Sequence, residues 1–506
     1  MQQKQIELMD TTLRDGEQTS GVAFTDQEKL SIAKLLLDEL KVNRIEVASA
    51  RVSSGEFLGA KAIIDWAREH NHEHKIEILA FIDGTSSIDW IQSVGGKVAN
   101  LLSKGSLKHL EGQLRKTPEQ HVTDIKNSIR YANQKGIACN LYFEDWSNGM
   151  RNSKEYVLFL AEALKNEPIQ RFMLPDTLGI LNPDETFAFC NEMITRFPEL
   201  HFDFHAHNDY DLAVANAYAA VKAGVKGIHV TVNGLGERAG NAPLSSIIAI
   251  LKDHLHVNLT INEEKLNIIS KMVETISGVR IPSNKPVIGD SVFTQTCGVH
   301  ADGDSKDNLY FNDLLPERFG RVRKYALGKT SGKANIKKNL DDLGIDLDTE
   351  SLTKVTQRVI ELGDKKESIT ADDLPYIISD VLNTQDTRNK VQIINYNLSS
   401  AKGLKAMATL SIEINTSYYQ ETASGDGQYD AFMNALKSIY KNKLGKTLPK
   451  LIDYVVTIPP GGKTDALVEA VITWEMDKEV KTRGLDPDQT SAAIIATIKM
   501  LNIYEQ

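Results

Sequence analysis

The sequence predicts an α/β protein: a (β/α)8 TIM barrel, then a helical connector, then a C-terminal α+β domain of duplicated βββα units. Three observations carry this. From the N-terminus to about residue 280, short runs of β-branched and apolar residues alternate with longer helical patterns, as repeated βα units around a parallel sheet require. There are eight such runs, which in this length fits a closed barrel better than an open doubly wound sheet. Beyond Asn389 the pattern becomes strand-like runs followed by a helix, and that order recurs.

The predicted barrel strands are Ile6–Met9, Arg44–Val47, Ile76–Phe81, Val98–Leu102, Cys139–Phe143, Arg171–Leu174, Phe202–His205 and Gly227–Thr231. Their C-terminal ends are the place to look for chemistry, because the βα loops of such a barrel meet there. The barrel is assigned to 1–284 and the connector to 285–388, where Lys285-Pro286 and a loop rich in Asp and Gly lead to helical stretches such as Asp372–Leu382. The C-terminal domain is assigned to 389–506. In it Val391–Asn397 and Lys405–Ile414 precede the helix Tyr429–Tyr440, and Tyr454–Pro459, Ala466–Trp474 and Glu479–Arg483 precede the helix Asp488–Leu501.

Composition narrows the function classes. With 506 residues, 41% hydrophobic and 25% charged, the chain can build two or more cores and is neither disordered nor fibrous. A net charge of −10, with no separate block of Lys and Arg, gives no pull toward nucleic acid or anionic lipid, so no nucleic-acid partner is expected. The opening MQQKQIELMDTTLRDGEQ has no basic and apolar leader and no stretch has the length of a membrane span, so a cytoplasmic protein with no membrane partner is expected. Cys139, Cys190 and Cys297 are too few for a disulfide framework, lack CxxC spacing and are expected to be buried structural thiols.

The first strand ends in Asp10-Thr11-Thr12-Leu13-Arg14-Asp15-Gly16-Glu17-Gln18, with a guanidinium and a carboxylate side by side at the barrel mouth. Alone, that pair also reads as a surface salt bridge. The seventh strand ends in Phe204-His205-Ala206-His207-Asn208-Asp209, and in extended backbone residues two apart face the same way, so His205 and His207 can grip one metal. After the eighth strand, Asn233-Gly234-Leu235-Gly236-Glu237-Arg238-Ala239-Gly240-Asn241 has glycines that admit a close ligand, and Asn241 offers a neutral oxygen. Asp15, His205, His207 and Asn241 form a mixed nitrogen and oxygen set suited to Mg²⁺, Mn²⁺ or Zn²⁺ with room left for a 2-oxo acid, while Arg14 faces the developing alkoxide. With both barrel histidines committed to metal, the candidate acid–base group is His300, with Asp302 and Tyr310 beside it.

Two glycine-rich stretches are misleading. Gly461-Gly462-Lys463-Thr464 resembles the end of a P-loop, but Thr457 stands where the upstream glycine is required. The Asn233–Asn241 loop lacks the dinucleotide-binding GxGxxG spacing.

The runs Asp10–Gln18, His205–Asp209 and Asn233–Asn241 resemble the signatures of the Claisen-condensing isopropylmalate, citramalate and homocitrate synthases, and the resemblance covers nearly the whole chain. It implies an acyltransferase that condenses acetyl-CoA with a 2-oxo acid, His300 serving in removal of the thioester α-proton. It also implies a homodimer in which His300 acts in trans, and a C-terminal domain that senses a branched-chain amino acid. In this family the oxo-acid pocket corresponds here to Leu79, Leu102 and Tyr142, with Glu144 nearby as a further catalytic candidate. Isopropylmalate synthases typically carry a histidine and a small residue where this chain has Leu102 and Tyr142. Tyr142 is therefore expected to leave space for a methyl group only, as for pyruvate. The segments Leu102–Leu107 and Glu144–Gly149 also resemble citramalate synthases of isoleucine biosynthesis. Thr177 resembles the hydroxyl that contacts the substrate carboxylate, and reads equally as a helix N-cap. The competing readings are 2-isopropylmalate synthase of leucine biosynthesis, a lyase or carboxyltransferase on the same barrel, and a non-enzymatic amino-acid-binding regulator.

Overall fold

A computed structural model of the chain describes residues 5–306, 308–364, 369, 371–382, 390–457, 468–476 and 479–505. Eight parallel strands, β1 (Glu7–Asp10), β2 (Arg44–Ser49), β3 (Ile76–Phe81), β4 (Val98–Lys104), β5 (Ala138–Glu144), β6 (Ile169–Asp176), β7 (Phe202–Ala206) and β8 (Gly227–Val230), pair in sequence order. The barrel closes where β8 meets β1, Glu7 opposite Gly227 and Asp10 opposite Val230. All eight predicted strands are present, their ends within two residues of the expected ones.

The strands alternate two kinds of buried residue. Ile45, Val47, Ile78, Ala80, Leu101, Leu141, Phe143, Phe172, Phe202, Phe204 and Ile228 join the apolar core shared with the surrounding helices. Between them stand Arg44, Glu46, Glu77, Asn100, Asn140, Asp203 and His229, also buried, and these hydrogen-bond to one another across the barrel. The helices begin on local signals. Asp26–Lys34, Pro118–Gln134 and Pro183–Arg196 each start in a capping box, formed by Thr25 with Glu28, Thr117 with Gln120, and Asn182 with Glu185.

One buried cation ties the first helix to the barrel mouth. Lys29 donates to the carbonyls of Leu13 (3.0 Å) and Val47 (3.4 Å) and pairs with Glu17 (2.7 Å) and Glu56. Lys29→Met removes the charge and leaves two carboxylates facing a buried apolar chain, so it is expected to cost about 3–5 kcal/mol. Thermal and urea unfolding of the variant check this, and an unchanged midpoint would contradict it.

The described chain divides into two compact units, Met1–Phe293 with Phe311–Arg323, and Thr294–Tyr310 with Lys324–Gln506. In the second unit the helices Lys333–Asp342, Thr349–Asp364 and Leu374–Leu382 bury Ile336, Leu340, Val355, Val359, Leu374 and Ile377. Two antiparallel three-stranded sheets follow, Val391–Ser399, Ala406–Ile414 and Ser417–Gly425, then Lys450–Thr457, Val468–Glu475 and Glu479–Asp486. Each sheet is followed by a helix, Gln428–Lys443 and Gln489–Tyr504, so the βββα unit is duplicated. Leu410, Ile412, Phe432 and Leu436 of the first repeat and Ile472, Trp474 and Met500 of the second belong to one core.

The strand Ser417–Gly425 has no counterpart among the predicted runs. Its sequence SYYQETASG buries only its last residue, so it has no apolar face to read. The predicted runs Tyr454–Pro459 and Ala466–Trp474 lie partly, and Gly461-Gly462-Lys463-Thr464 wholly, outside the described residues. Cys139 and Cys190 are buried as expected, but Cys297, at the N-cap of the helix Gly298–Ser305, is only half-buried. Among the described residues no helix is long and apolar enough to cross a membrane.

Candidate active site

The loop after β1 turns tightly, the amides of Arg14, Asp15 and Gly16 all donating to the Thr11 carbonyl. This turn aims the Asp15 carboxylate at the end of β7, where His205 Nε2 lies 3.1 Å from Asp15 Oδ2 and 3.3 Å from His207 Nε2. One ligand atom from each of the three residues falls within 4.8 Å of the other two. Ligands about 2.1 Å from one ion at right angles stand about 3.0 Å apart, so the spacing fits a shared divalent cation. His207 also bridges to Asn241 through the backbone. The Asn241 amide donates to the Leu235 carbonyl (3.0 Å), which fixes its orientation, and its buried Oδ1 has no hydrogen-bond partner. Gly236 permits this approach, since a Cβ there would stand 2.2 Å from Asn241 Nδ2.

The electrostatics suit a cation. Burial works to raise the Asp15 carboxyl, but Arg14 and His205 outweigh it and hold it well below the usual carboxylate range. Burial, with His205 alongside, pushes the His207 imidazole down to about 4, and burial also lowers His205, so both rings are neutral and have lone pairs to offer. These residues can hold a divalent metal, and a partnerless amide oxygen beside two neutral imidazoles and an ionised carboxylate is the donor set one needs.

Arg14 is clamped beside them. Its Nε and Nη2 both contact Glu46 Oε2, at 2.6 and 2.5 Å, its Nη1 lies 3.6 Å from Asp15 Oδ2, and its Nη2 lies 3.5 Å from the Tyr142 hydroxyl. Burial opposes the Arg14 charge, and the carboxylates of Glu46 and Asp15 more than offset it. Below Arg14 a small apolar cluster joins Leu79 and Tyr142, with Leu102 against them, to Met9 and Met173. Glu144 at the end of β5 pairs with Lys104. The Thr177 hydroxyl accepts the Asp145 amide at 2.9 Å, which leaves its proton to donate; the helix that follows is capped by Asn182 instead.

His300, Asp302 and Tyr310 belong to the second unit. There the His300 and Tyr310 rings lie 4.2 Å apart and Asp302 accepts from Lys306 at 2.7 Å.

Residues 5–273 match the family described as HMGL-like, residues 287–367 the homocitrate synthase post-HMGL domain-like family, and residues 368–505 the LeuA allosteric (dimerisation) domain. The chain is 34% identical to the putative (R)-citramalate synthase CimA of Methanopyrus kandleri, covering 92% of this chain and 89% of that one. It is 33% identical to the (R)-citramalate synthase CimA of Methanocaldococcus jannaschii over 98% and 99%. It is 32% identical to the probable 2-isopropylmalate synthase of Methanopyrus kandleri over 98% of each.

The chain belongs to the isopropylmalate, citramalate and homocitrate synthase family. The synthase is an acyltransferase-type enzyme of the acetyl-CoA-dependent condensing kind, on a closed eight-stranded barrel followed by a LeuA-type domain. Full-length likeness to synthases sets aside the lyase and regulator readings. It does not separate citramalate from isopropylmalate synthases, since both occur at nearly the same identity.

Several residues around this site escaped the sequence reading. Glu46 holds Arg14, Asn100 donates to Glu46 at 2.7 Å, and Asp203 and His229 stand behind Tyr142. The signal was present: Asp203 shares the two-residue alternation of His205 and His207, and Arg44 and Glu46 alternate likewise on β2.

Proposed function

We propose that the synthase condenses acetyl-CoA with pyruvate and hydrolyses the thioester to give citramalate and CoA. The observation that supports this reading is Tyr142, buried in the apolar cluster beside Arg14, since a full phenol there favours a small oxo-acid side chain over a branched one. The second reading, 2-isopropylmalate synthase, is favoured only by relatives of that name.

The proposed metal site is Asp15, His205, His207 and Asn241, and a divalent cation bound there supplies Lewis-acid polarisation of the oxo group. Arg14, held by Glu46, presents its remaining N–H groups to the oxygen that gains charge. Thr177 donates to the pyruvate carboxylate, and Leu79, Leu102 and Tyr142 enclose the methyl group. His300, with Asp302 and Tyr310 beside it and acting in trans across the proposed homodimer, takes a proton from the acetyl methyl group, whose carbon then bonds to the oxo carbon. The oxo oxygen is protonated, and water cleaves the thioester to a carboxylate and the CoA thiol. Glu144 stands at the β5 end as a further acid–base group. We place the protein in the cytoplasm as a homodimer joined through its LeuA-type domain, with isoleucine as feedback inhibitor.

CoA release from acetyl-CoA with Mn²⁺ or Mg²⁺ tests the reading directly. Strong preference for pyruvate over 2-oxoisovalerate is expected, and the reverse preference would make the protein an isopropylmalate synthase. Isoleucine is expected to inhibit this release; inhibition by leucine with no response to isoleucine would remove the pathway assignment. His300→Ala is expected to lower kcat by roughly 10²–10⁴-fold, the usual worth of a general base, with KM for pyruvate largely kept. Unchanged turnover would remove His300 from that role.

A further inference from the structure

Tyr142 does not stand alone in the barrel. Its hydroxyl lies 3.2 Å from His229 Nδ1, and His229 Nε2 lies 3.2 Å from Asp203 Oδ2. Asp203 is itself anchored, its Oδ2 accepting from Arg44 Nη2 at 2.6 Å and its Oδ1 facing His201 Nε2 at 3.0 Å. Arg44 continues to Glu77 at 2.8 Å and Glu7 at 3.1 Å. All of Asp203, His229 and Tyr142 are buried, so water does not compete for these bonds.

The line of contacts fixes proton positions. Asp203 is the anionic half of a buried ion pair, its Oδ2 2.6 Å from Arg44 Nη2. It accepts only, so His229 carries its proton on Nε2, and Nδ1 is left as an acceptor. The Tyr142 O–H must then donate to His229, and its oxygen lone pairs face Arg14 Nη2. The phenol is held from two sides, and its ring is packed edge-on against both His229 (centroids 5.6 Å) and His205 (6.2 Å). The backbone is adapted to this arrangement. Asp203 pairs with Gly227 across β7 and β8, and a Cβ on Gly227 would stand 2.0 Å from Asp203 Oδ1.

We infer that Asp203 and His229 are positioning residues that lock the Tyr142 phenol, and that through it they set the length of 2-oxo-acid side chain the site accepts. The inference rests on the pyruvate reading above. A phenol free to swing away leaves room for a branched chain; a phenol bonded to His229 does not.

The test measures kcat/KM for pyruvate and for 2-oxoisovalerate on the full-length enzyme and three variants. His229→Leu removes the acceptor but leaves Asp203 its Arg44 and His201 partners. The pyruvate preference is expected to fall roughly tenfold, the worth of one good buried hydrogen bond. His229→Asn places an amide oxygen near the position of Nδ1 and is expected to keep most of the preference. Tyr142→Phe keeps the ring but not its bonds and is expected to lose preference by a similar factor, with no further loss on adding His229→Leu. A wild-type preference in His229→Leu, or equal losses in His229→Leu and His229→Asn, would overturn the inference. Should His229→Leu fail to fold, Tyr142→Phe decides, since a wild-type preference there overturns it as well. Unmodified enzyme that prefers 2-oxoisovalerate refutes the pyruvate reading instead, and that result is independent of any variant.

Discussion

Asp15→Asn is expected to lower turnover by on the order of 10³-fold or more and to abolish tight binding of a divalent cation. The amide keeps the size of the carboxylate but not its charge, and the remaining candidate donors, His205, His207 and Asn241, are all neutral. A cation in this pocket would then face the Arg14 guanidinium with no anion between them, since Asp15 is the group 3.6 Å from Arg14 Nη1 on that side. His207→Ala removes a ligand without changing charge and is expected to weaken the cation less than Asp15→Asn does. Calorimetric titration with Mn²⁺ reads affinity apart from activity. Dialysis against a chelator is expected to stop CoA release, and added Mn²⁺ to restore it. Wild-type affinity and turnover in Asp15→Asn would remove this cluster from the mechanism.

The parts of this site that were legible in sequence share one property: each announces itself within a few residues. His205 and His207 are two apart on a strand, Arg14 and Asp15 are adjacent, and Asn241 ends a loop whose glycines mark a close backbone approach. The eight strands were legible because the helix-facing side of each strand is apolar, which leaves short runs rich in β-branched and apolar residues between longer helical patterns. The interior polar layer was not. A lone Arg44 or Glu77 in a strand ordinarily reads as a solvent-facing residue, and only barrel closure brings Arg44 to Asp203, 159 positions away, or Asn100 to Glu46. Lys29 is the same case on a helix: DQEKLSIAK looks like a polar surface turn until Leu13, Val47, Glu17 and Glu56 surround the amine. Long-range partners of this kind have no local signature, so residues that hold the reactive groups are harder to find than the reactive groups themselves.

Glu46 makes that distinction measurable through Arg14. The Arg14 fork spends Nε and Nη2 on Glu46 Oε2, while Asn100 donates to Glu46 Oε1. Arg14→Lys keeps the positive charge, but a single ammonium cannot serve Glu46 and the reacting oxygen in two directions. It is expected to lower kcat by about 10²–10³-fold, the usual loss when an oxyanion donor is removed, with a much smaller change in KM for pyruvate. Glu46→Gln is expected to behave similarly although Arg14 is intact. A glutamine has one oxygen and one NH2, whereas both neighbours of Glu46 are donors, so its NH2 must face either Arg14 or Asn100 and one bond is replaced by a donor–donor clash. If the role of Glu46 is to aim Arg14, the two variants lose kcat through the same oxygen contact, and the double variant falls little below Arg14→Lys alone. Multiplicative losses in the double variant would mean that Glu46 acts on the reaction by a route other than Arg14.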